Sequence, residues 1–219
     1  MLDIKISEEL KSKLDIAIGS VQAEIVVKPS SEKLMNNLDN VCNHFATKYQ
    51  VEDIGKIQAI ADSRKAYKTL GKDPARYRLS SEALLRRIVK EKGIYKINNI
   101  VDINNLISIK SGYSICAFDV SMLNPPIQFT IGTSEDIYYG IGRGLLNIEN
   151  LPVFEDQLGK FGSPTSDSER VKITNETTSI SMNIISFSGI SDVELHLNEL
   201  RQYLIEFADA KNVQQKIFV

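Results

Sequence analysis

The sequence predicts an α+β fold, and three observations carry that expectation. Apolar residues recur at helical spacing through most of the first half of the chain. From Tyr113 onward the pattern changes to short runs rich in Ile, Val, Phe and Tyr, the mark of strands. The two patterns are segregated rather than interleaved, which argues against a wound parallel sheet. A chain of 219 residues, 42% hydrophobic and 25% charged, has an ordinary globular composition and enough length for a substantial core. One domain spanning 1–219 is expected, with no repeat, low-complexity tract or linker.

The elements follow in order. Residues 14–28, "LDIAIGSVQAEIVVK", read as a strand. Pro29-Ser30-Ser31 then opens a helix that places Leu34, Leu38, Val41, Cys42, Phe45, Ala46 and Tyr49 on one face, with His44 outside it. A second helix is expected over about 53–70, with Ile54, Ile57, Ile60, Ala61 and Tyr67 inward. Gly71 ends it and Pro74 bars a quick restart. The next helix should start at Ser80 as N-cap and stop at Gly93. Glu82 would sit near the positive end of its dipole, Leu84, Leu85 and Ile88 inward, and Arg86 and Arg87 outward. "NNIVDINNLISIKSG" is read as a helix ended by Gly112, although its Ile and Val content makes a strand a fair rival. Strands are expected at "YSICAFDV", "PIQFTIG", "IYYGIG", "LLNIE" and "TSISMNIISF", with a turn at Asn124-Pro125-Pro126. A helix over 191–210 and a strand at "QQKIFV" complete the chain.

Composition excludes several classes of function. No run reaches the roughly 18 apolar residues of a membrane helix, and the charged start "MLDIKISEELK" carries no export signal. Cys42 and Cys116 are far apart without a CxxC pattern, so a disulfide framework and a zinc site are not expected; a reducing, cytoplasmic setting fits. The two histidines, His44 and His196, lie on different helices without a ligand pattern or a nucleophile partner. "GIGRG" has the wrong spacing for a dinucleotide loop and reads as bend or strand-edge glycine. Neither a metal nor a cofactor is expected. Cys116, in an apolar strand-like run, reads as a buried, inert thiol.

Charge is uneven. Residues 64–100 hold eleven Lys/Arg and three acids, a local charge of +8, which leaves −10 elsewhere in a chain of net charge −2. Such a stretch is either a phosphate-contact surface or a set of solvated helix faces. Within it, Arg76 and Arg78 precede a helix N-terminus and either hold a phosphate or carboxylate or pair with Asp73 and Glu82. A second polar concentration, "GSPTSDSERVKIT" at 162–174, runs directly into a core strand. By itself it is a solvated loop or the wall of a polar pocket.

"SSEALLRRIVKEKGIYKINNIVDINNLISIKSGYSICAFD", residues 80–119, resembles the B3/B4 domain of the phenylalanyl-tRNA synthetase beta chain. The shared pattern is a serine-led helix with paired arginines, a glycine, "INNIVDINN", a further glycine and "AFD". The likeness runs from about 64 to 187, and "LGKDPARYR" and "TSDSER" are closer to free-standing members of the family. It implies a three-layer α+β fold, helices packed on an unusual β-sandwich, with a pocket that in the synthetase hydrolyses tyrosine wrongly attached to its tRNA. By position, Asn104 and Asn105 correspond to a Thr-Asn pair lining that pocket. Cys116 stands where the synthetase has its editing-site histidine, and Asn183 where a glutamate reads the tyrosine hydroxyl. Both departures remove charged or basic groups from the implied chemistry.

The resemblance makes the 162–174 loop a pocket wall, with Ser163 and Thr165 lining it. Ser166, Ser168 and backbone amides would donate to an oxyanion, and Asp167 or Glu169 would orient water. Arg170 would bind a carboxylate or phosphate, or pair with Glu169. Arg76, Arg78, Arg86 and Arg87 would face tRNA phosphates. The implied partner is the acceptor end of a tRNA, with a mischarged aminoacyl ester as substrate in trans; the oligomeric state is left open. A non-catalytic RNA or amino-acid binding module on the same fold is the rival, and a small-molecule or peptide hydrolase is the third reading.

Overall fold

The computed structural model describes residues 1–219. The chain begins with β1 (Ile4–Ile6), α1 (Glu8–Lys13), β2 (Ala17–Glu24), α2 (Glu32–Lys48), α3 (Val51–Ile54) and α4 (Gln58–Thr69). It continues through α5 (Ser80–Ile88), α6 (Asn99–Ser111), β3 (Ser114–Asp119), β4 (Ile127–Ile131), β5 (Ile137–Gly140) and β6 (Gly144–Asn147). It ends with β7 (Pro152–Asp156), β8 (Gly159–Ser163), β9 (Ser166–Asp167), β10 (Ser179–Ser186), α7 (Val193–Phe207) and β11 (Lys211–Phe218).

Three layers result, and the α+β class expected from the sequence holds. A four-stranded antiparallel sheet, ordered β11-β2-β10-β3, lies in the middle. Side-chain alternation gives it two apolar faces. Ile180, Met182 and Ile184 of β10, with Val21 and Ala23 of β2, meet the helices in the larger core. Ile18, Cys116, Phe118 and Ile185 point the other way, into a second core against the five-stranded sheet β1-β4-β7-β8-β9. Four phenylalanines, Phe118, Phe129, Phe154 and Phe161, dominate that second core, with ring centroids 4.6 to 5.9 Å apart. Helix α7 comes close to β2 because residue 19 is glycine: a Cβ there would lie 2.6 Å from Val193 Cγ1.

Local signals place most helix ends. Ser31 caps α2 by accepting from the Leu34 N–H, and Asn98 caps α6 by accepting from the Val101 N–H. Gly112 closes α6 at φ +77, a left-handed conformation that costs glycine least. The helix reading of 98–112 therefore stands over the strand reading.

Some expectations are corrected. The helix expected over 53–70 is two pieces, α3 and α4, interrupted at Gly55–Ile57. Ser80 is not a side-chain cap; Leu79 precedes the helix, and the Ser80 N–H donates instead to the Pro164 carbonyl, 2.8 Å away. Helix α5 ends at Ile88, short of Gly93. The β7–β8 hairpin, "PVFED" and "GKFGS", and the short β1, α1 and β9 were not anticipated.

Arg86 does not point away from the protein. It turns back onto Glu82, which is completely buried and accepts from Arg86 Nε at 2.8 Å and from Arg64 Nη1 at 2.9 and 3.0 Å. Arg78 Nε stands 3.8 Å from the same carboxylate. Glu82 is thus the buried anion that holds α4, α5 and the 71–79 connection together. Removing one member of a buried ion network strands the others. Glu82→Ala should lower unfolding free energy by about 2–4 kcal/mol, read as a lower urea midpoint; an unchanged midpoint would show the network is dispensable.

Candidate functional site

The 162–174 segment is neither a solvated loop nor an open wall. Ser163 and Thr165 are each 2% exposed. Five hydrogen bonds stitch the stretch 163–167 to four different elements. The Pro164 carbonyl takes the Ser80 N–H of α5. Thr165 Oγ1 shares a hydrogen bond with the Tyr67 hydroxyl of α4, 2.9 Å. The Tyr138 hydroxyl of β5 donates to the Ser166 carbonyl at 2.6 Å and lies 2.9 Å from the Ser163 hydroxyl, within hydrogen-bond distance. Asp167 Oδ2 accepts from the Ala117 N–H of β3 at 3.0 Å. Gly162 permits this closeness, since a Cβ there would lie 2.6 Å from the Phe118 ring.

Asp167 is the unusual member. The residue as a whole is partly exposed, but its Oδ1 is buried without a hydrogen-bond partner. Burial pushes its pKa from an ordinary 3.8 to about 7, against the opposing pull of the Ala117 N–H, the Cys116 thiol and the Ser163 backbone. Cys116 is 1% exposed, and burial followed by the nearby Asp167 charge drives its thiol well above the usual range. It is an inert thiol as it stands. Burial also raises the Tyr67 and Tyr138 hydroxyls. Asp167, Cys116, Ser163, Thr165, Tyr67 and Tyr138 therefore form one buried polar cluster between α4, β3, β5 and β9.

The other expected site residues are distributed around it. Ser166 is half-buried, its hydroxyl bonded to the Asp167 carbonyl at 3.3 Å. Ser168 is buried, and its hydroxyl accepts from the Arg170 N–H. Glu169 faces outward, accepting from the Gly142 N–H at 3.2 Å and pairing with Lys172 at 2.8 Å. The Lys172 hydrogen bond holds its pKa low. Arg170 does not pair with Glu169. Its guanidinium grips Asp156 with two bonds of 2.9 and 3.0 Å and also donates to the Met122 and Gly159 carbonyls, a structural engagement that leaves no open phosphate site.

Asn183 lies opposite Cys116 in the β10–β3 register and is completely buried. Its amide is 3.2 Å from Ser181 Oγ and 3.3 Å from the Ser181 carbonyl. It lines an inter-sheet cavity of about 10 Å³ with Ser181, Phe118, Phe154 and Phe161, room for about one water.

Asn104 and Asn105 sit half-buried on α6, in the helical layer, and Asn104 Oδ1 is buried without a partner. The rest of the "INNIVD" motif serves the fold. Asn99 bridges the Val26 and Phe207 carbonyls and the Lys28 N–H. Asp102 accepts from the Ile97 N–H and the Ser30 hydroxyl.

The basic segment divides into used and free cations. Arg64, Arg78 and Arg86 surround Glu82, and Arg87 donates to the Gly93 and Lys92 carbonyls. Lys72 is buried against the Asn147 side chain and the Glu149 carbonyl, and Lys96 pairs with Asp39. Lys65, Lys68, Arg76, Lys90 and Lys92 are exposed and enter no ion pair. No group of three or more His, Cys, Asp or Glu side chains is placed to hold a metal ion. No helix is long and apolar enough to cross a membrane.

Tyr67 and Tyr138 were not anticipated as site residues. Both sit in apolar patterns that read as core; the available signal was the phenol itself, which needs a partner when buried.

Asp167 gives a direct test. Its folded pKa is raised, so between about pH 4 and 7 the unfolded chain releases a proton that the folded chain keeps. Stability should fall as pH rises through that window and stay low above it. Asp167→Asn removes the effect, so the wild type should lose on the order of 3–4 kcal/mol relative to the variant between pH 4 and 8. A stability difference that does not vary with pH would show that Asp167 titrates normally.

Similarity to known proteins agrees with this architecture. A family model described as the B3/4 domain matches residues 62–206. No curated protein matches the chain. Among solved structures, an N-terminal fragment of the phenylalanyl-tRNA synthetase beta-subunit from Pyrococcus horikoshii matches with a TM-score of 0.53 at 13% identity, a likeness of fold. The match covers 100% of this chain and 54% of that fragment, so the chain spans about half its length. Because the family model takes in well over half of the 219 residues, the chain belongs to the B3/4 domain family.

Proposed function

We propose that this B3/4 domain binds the acceptor end of a tRNA and hydrolyses a mischarged aminoacyl ester in trans. The observation that carries the chemistry is the buried Asp167 carboxyl, with one unpartnered oxygen and a pKa of about 7. A general base works best when its pKa lies near the working pH. The five unpaired cations between Lys65 and Lys92 support phosphate contact. The solved relative of the same fold is a fragment of a tRNA synthetase subunit, which supports the reading. The whole chain, 1–219, acts as one unit in this reading. Two free cysteines fit a reducing compartment such as the cytoplasm.

In this mechanism Asp167 takes a proton from water as the water oxygen attacks the ester carbonyl. Ser166, whose hydroxyl has one long hydrogen bond, and backbone N–H groups of the loop donate to the oxyanion. Collapse of the tetrahedral intermediate breaks the bond to the ribose oxygen, which recovers the proton from Asp167. The Tyr138 bonds that close the cluster open to admit the ester.

A second reading rests on a specific observation. Cys116 and Asn183 occupy the positions of the family's implied editing groups, both are buried, and the cavity beside Asn183 has room for about one water. That favours a binding module without turnover.

A panel of correctly and wrongly charged tRNAs separates the two. Hydrolysis should release one amino acid selectively and rise with pH to a plateau above about 7 as Asp167 ionises. Asp167→Asn should slow it by about 100-fold or more. Salt-sensitive tRNA binding without release would establish the binding module instead. Absence of both would remove tRNA from the account.

A further inference from the structure

We propose that the outer face of the β5–β6 hairpin is a stacking platform for the 3′-terminal nucleotides of single-stranded RNA. The proposal rests on the acceptor-end reading above and names the surface that would meet the RNA.

The hairpin is a two-stranded sheet whose backbone meets the five-stranded sheet only at its turn end, by a bridge from Gly140 to Ser168 and the Ile141 N–H bond to the Asp167 carbonyl. Its inner face is committed to the protein: Tyr138 is 6% exposed, and its hydroxyl reaches Ser163 and Ser166. Its outer face is left to solvent. Tyr139 is 64% exposed and lies directly opposite Leu145, 57% exposed, with Ile137 beside them at 57%. A short hairpin gains nothing in water from an apolar outer face, and exposed apolar patches rimmed by polar groups mark interaction surfaces.

The surrounding charge favours nucleic acid. Arg143, in the turn, is exposed and enters no ion pair. Lys72, bonded to the Asn147 side chain and the Glu149 carbonyl, ties the 71–79 connection to the base of the hairpin. The same connection carries the unpaired Arg76, stacked on Tyr77. The carboxylate at the turn, Glu169, is already balanced by Lys172. Asp136 at the entry caps Thr133 and faces Lys160, and Glu135 lies at the end away from the turn. An exposed ring with one free guanidinium in its own turn, and another on the connection bonded to the hairpin base, offers the pairing that holds a single strand, ring to base and cation to phosphate.

The turn also reaches the buried cluster. The Ile141 N–H donates to the Asp167 carbonyl at 2.9 Å. A strand stacked on Tyr139 and passing over the turn would bring its terminal ribose to Ser166–Asp167.

The probe is a short single-stranded RNA carrying 2-aminopurine near its 3′ end, beside an intact tRNA and the same tRNA with its single-stranded 3′ end removed. The wild type should quench 2-aminopurine and prefer the intact tRNA. Tyr139→Leu keeps an apolar side chain at an exposed position; it should abolish quenching and weaken RNA binding by about 5-fold or more, while Tyr139→Trp retains both. Arg143→Ala should make binding of the short RNA less salt-sensitive, by about 0.7 in log–log slope.

Equal quenching by wild type and Tyr139→Leu would overturn the proposal, as would a dimer in sedimentation that Leu145→Ser disperses. The two readings fail separately. If intact and trimmed tRNA bind equally and Tyr139 is irrelevant, the platform falls and tRNA binding stands. If the short RNA is held through Tyr139 but no tRNA is bound, the acceptor-end reading falls and the platform stands.

Discussion

Burying the four-stranded sheet on both faces is the constraint around which the molecule is arranged. With helices on one side and the five-stranded sheet on the other, β2, β10 and β3 are buried on both faces, while the edge strand β11 stays largely exposed. At the β3 edge the Ala117 N–H is satisfied by the Asp167 carboxylate rather than by another strand. A backbone donor beside a buried core must find an acceptor. Meeting that need with a carboxylate places an ionisable group where desolvation raises its pKa. The same hydrogen bond therefore completes the fold and creates the candidate chemistry.

The loop that supplies Asp167 is held by four elements distant in sequence, and this explains its polarity. The Pro164 carbonyl, the Thr165 and Ser163 hydroxyls and the Asp167 carboxylate answer the Ser80 N–H, Tyr67, Tyr138 and the Ala117 N–H respectively. Such a junction is precise because unsatisfied members are costly, so small displacements are resisted. It is also coupled to the β5–β6 hairpin through Tyr138, which connects the buried cluster to an exposed surface.

Charge follows a similar division. Glu82 pairs with the guanidiniums that α4, α5 and the 71–79 connection bring together and fixes them in the protein. Other cations of the same segment remain in water without partners. The +8 of residues 64–100 is therefore partly architecture and partly surface, and only the second part is available to a phosphate.

Much of the helical layer was legible in the sequence. Ser31, Asn98 and Gly112 act within one turn of their own helices, and the apolar stripe of α2 depends only on local periodicity. The strands β3 and β10 were legible as short apolar runs for the same reason. The break between α3 and α4, the Ser80–Pro164 bond and the β7–β8 hairpin were not, because each depends on packing against residues far along the chain.

The candidate site divides along the same line. The sequence by itself marked the stretch holding Ser163, Thr165 and Asp167 as a polar concentration beside a core strand, and Cys116 as a buried thiol. It showed neither that Asp167 would face β3, nor that Arg170 would be taken by Asp156, nor that Tyr67 and Tyr138 would close the cluster. Hydrogen-bond partners and desolvation are properties of atoms brought together from distant positions, and only the tertiary structure decides them. Local patterning determines which elements form and which faces they bury; which polar groups are left free for chemistry or binding depends on which ones the assembled fold has already used.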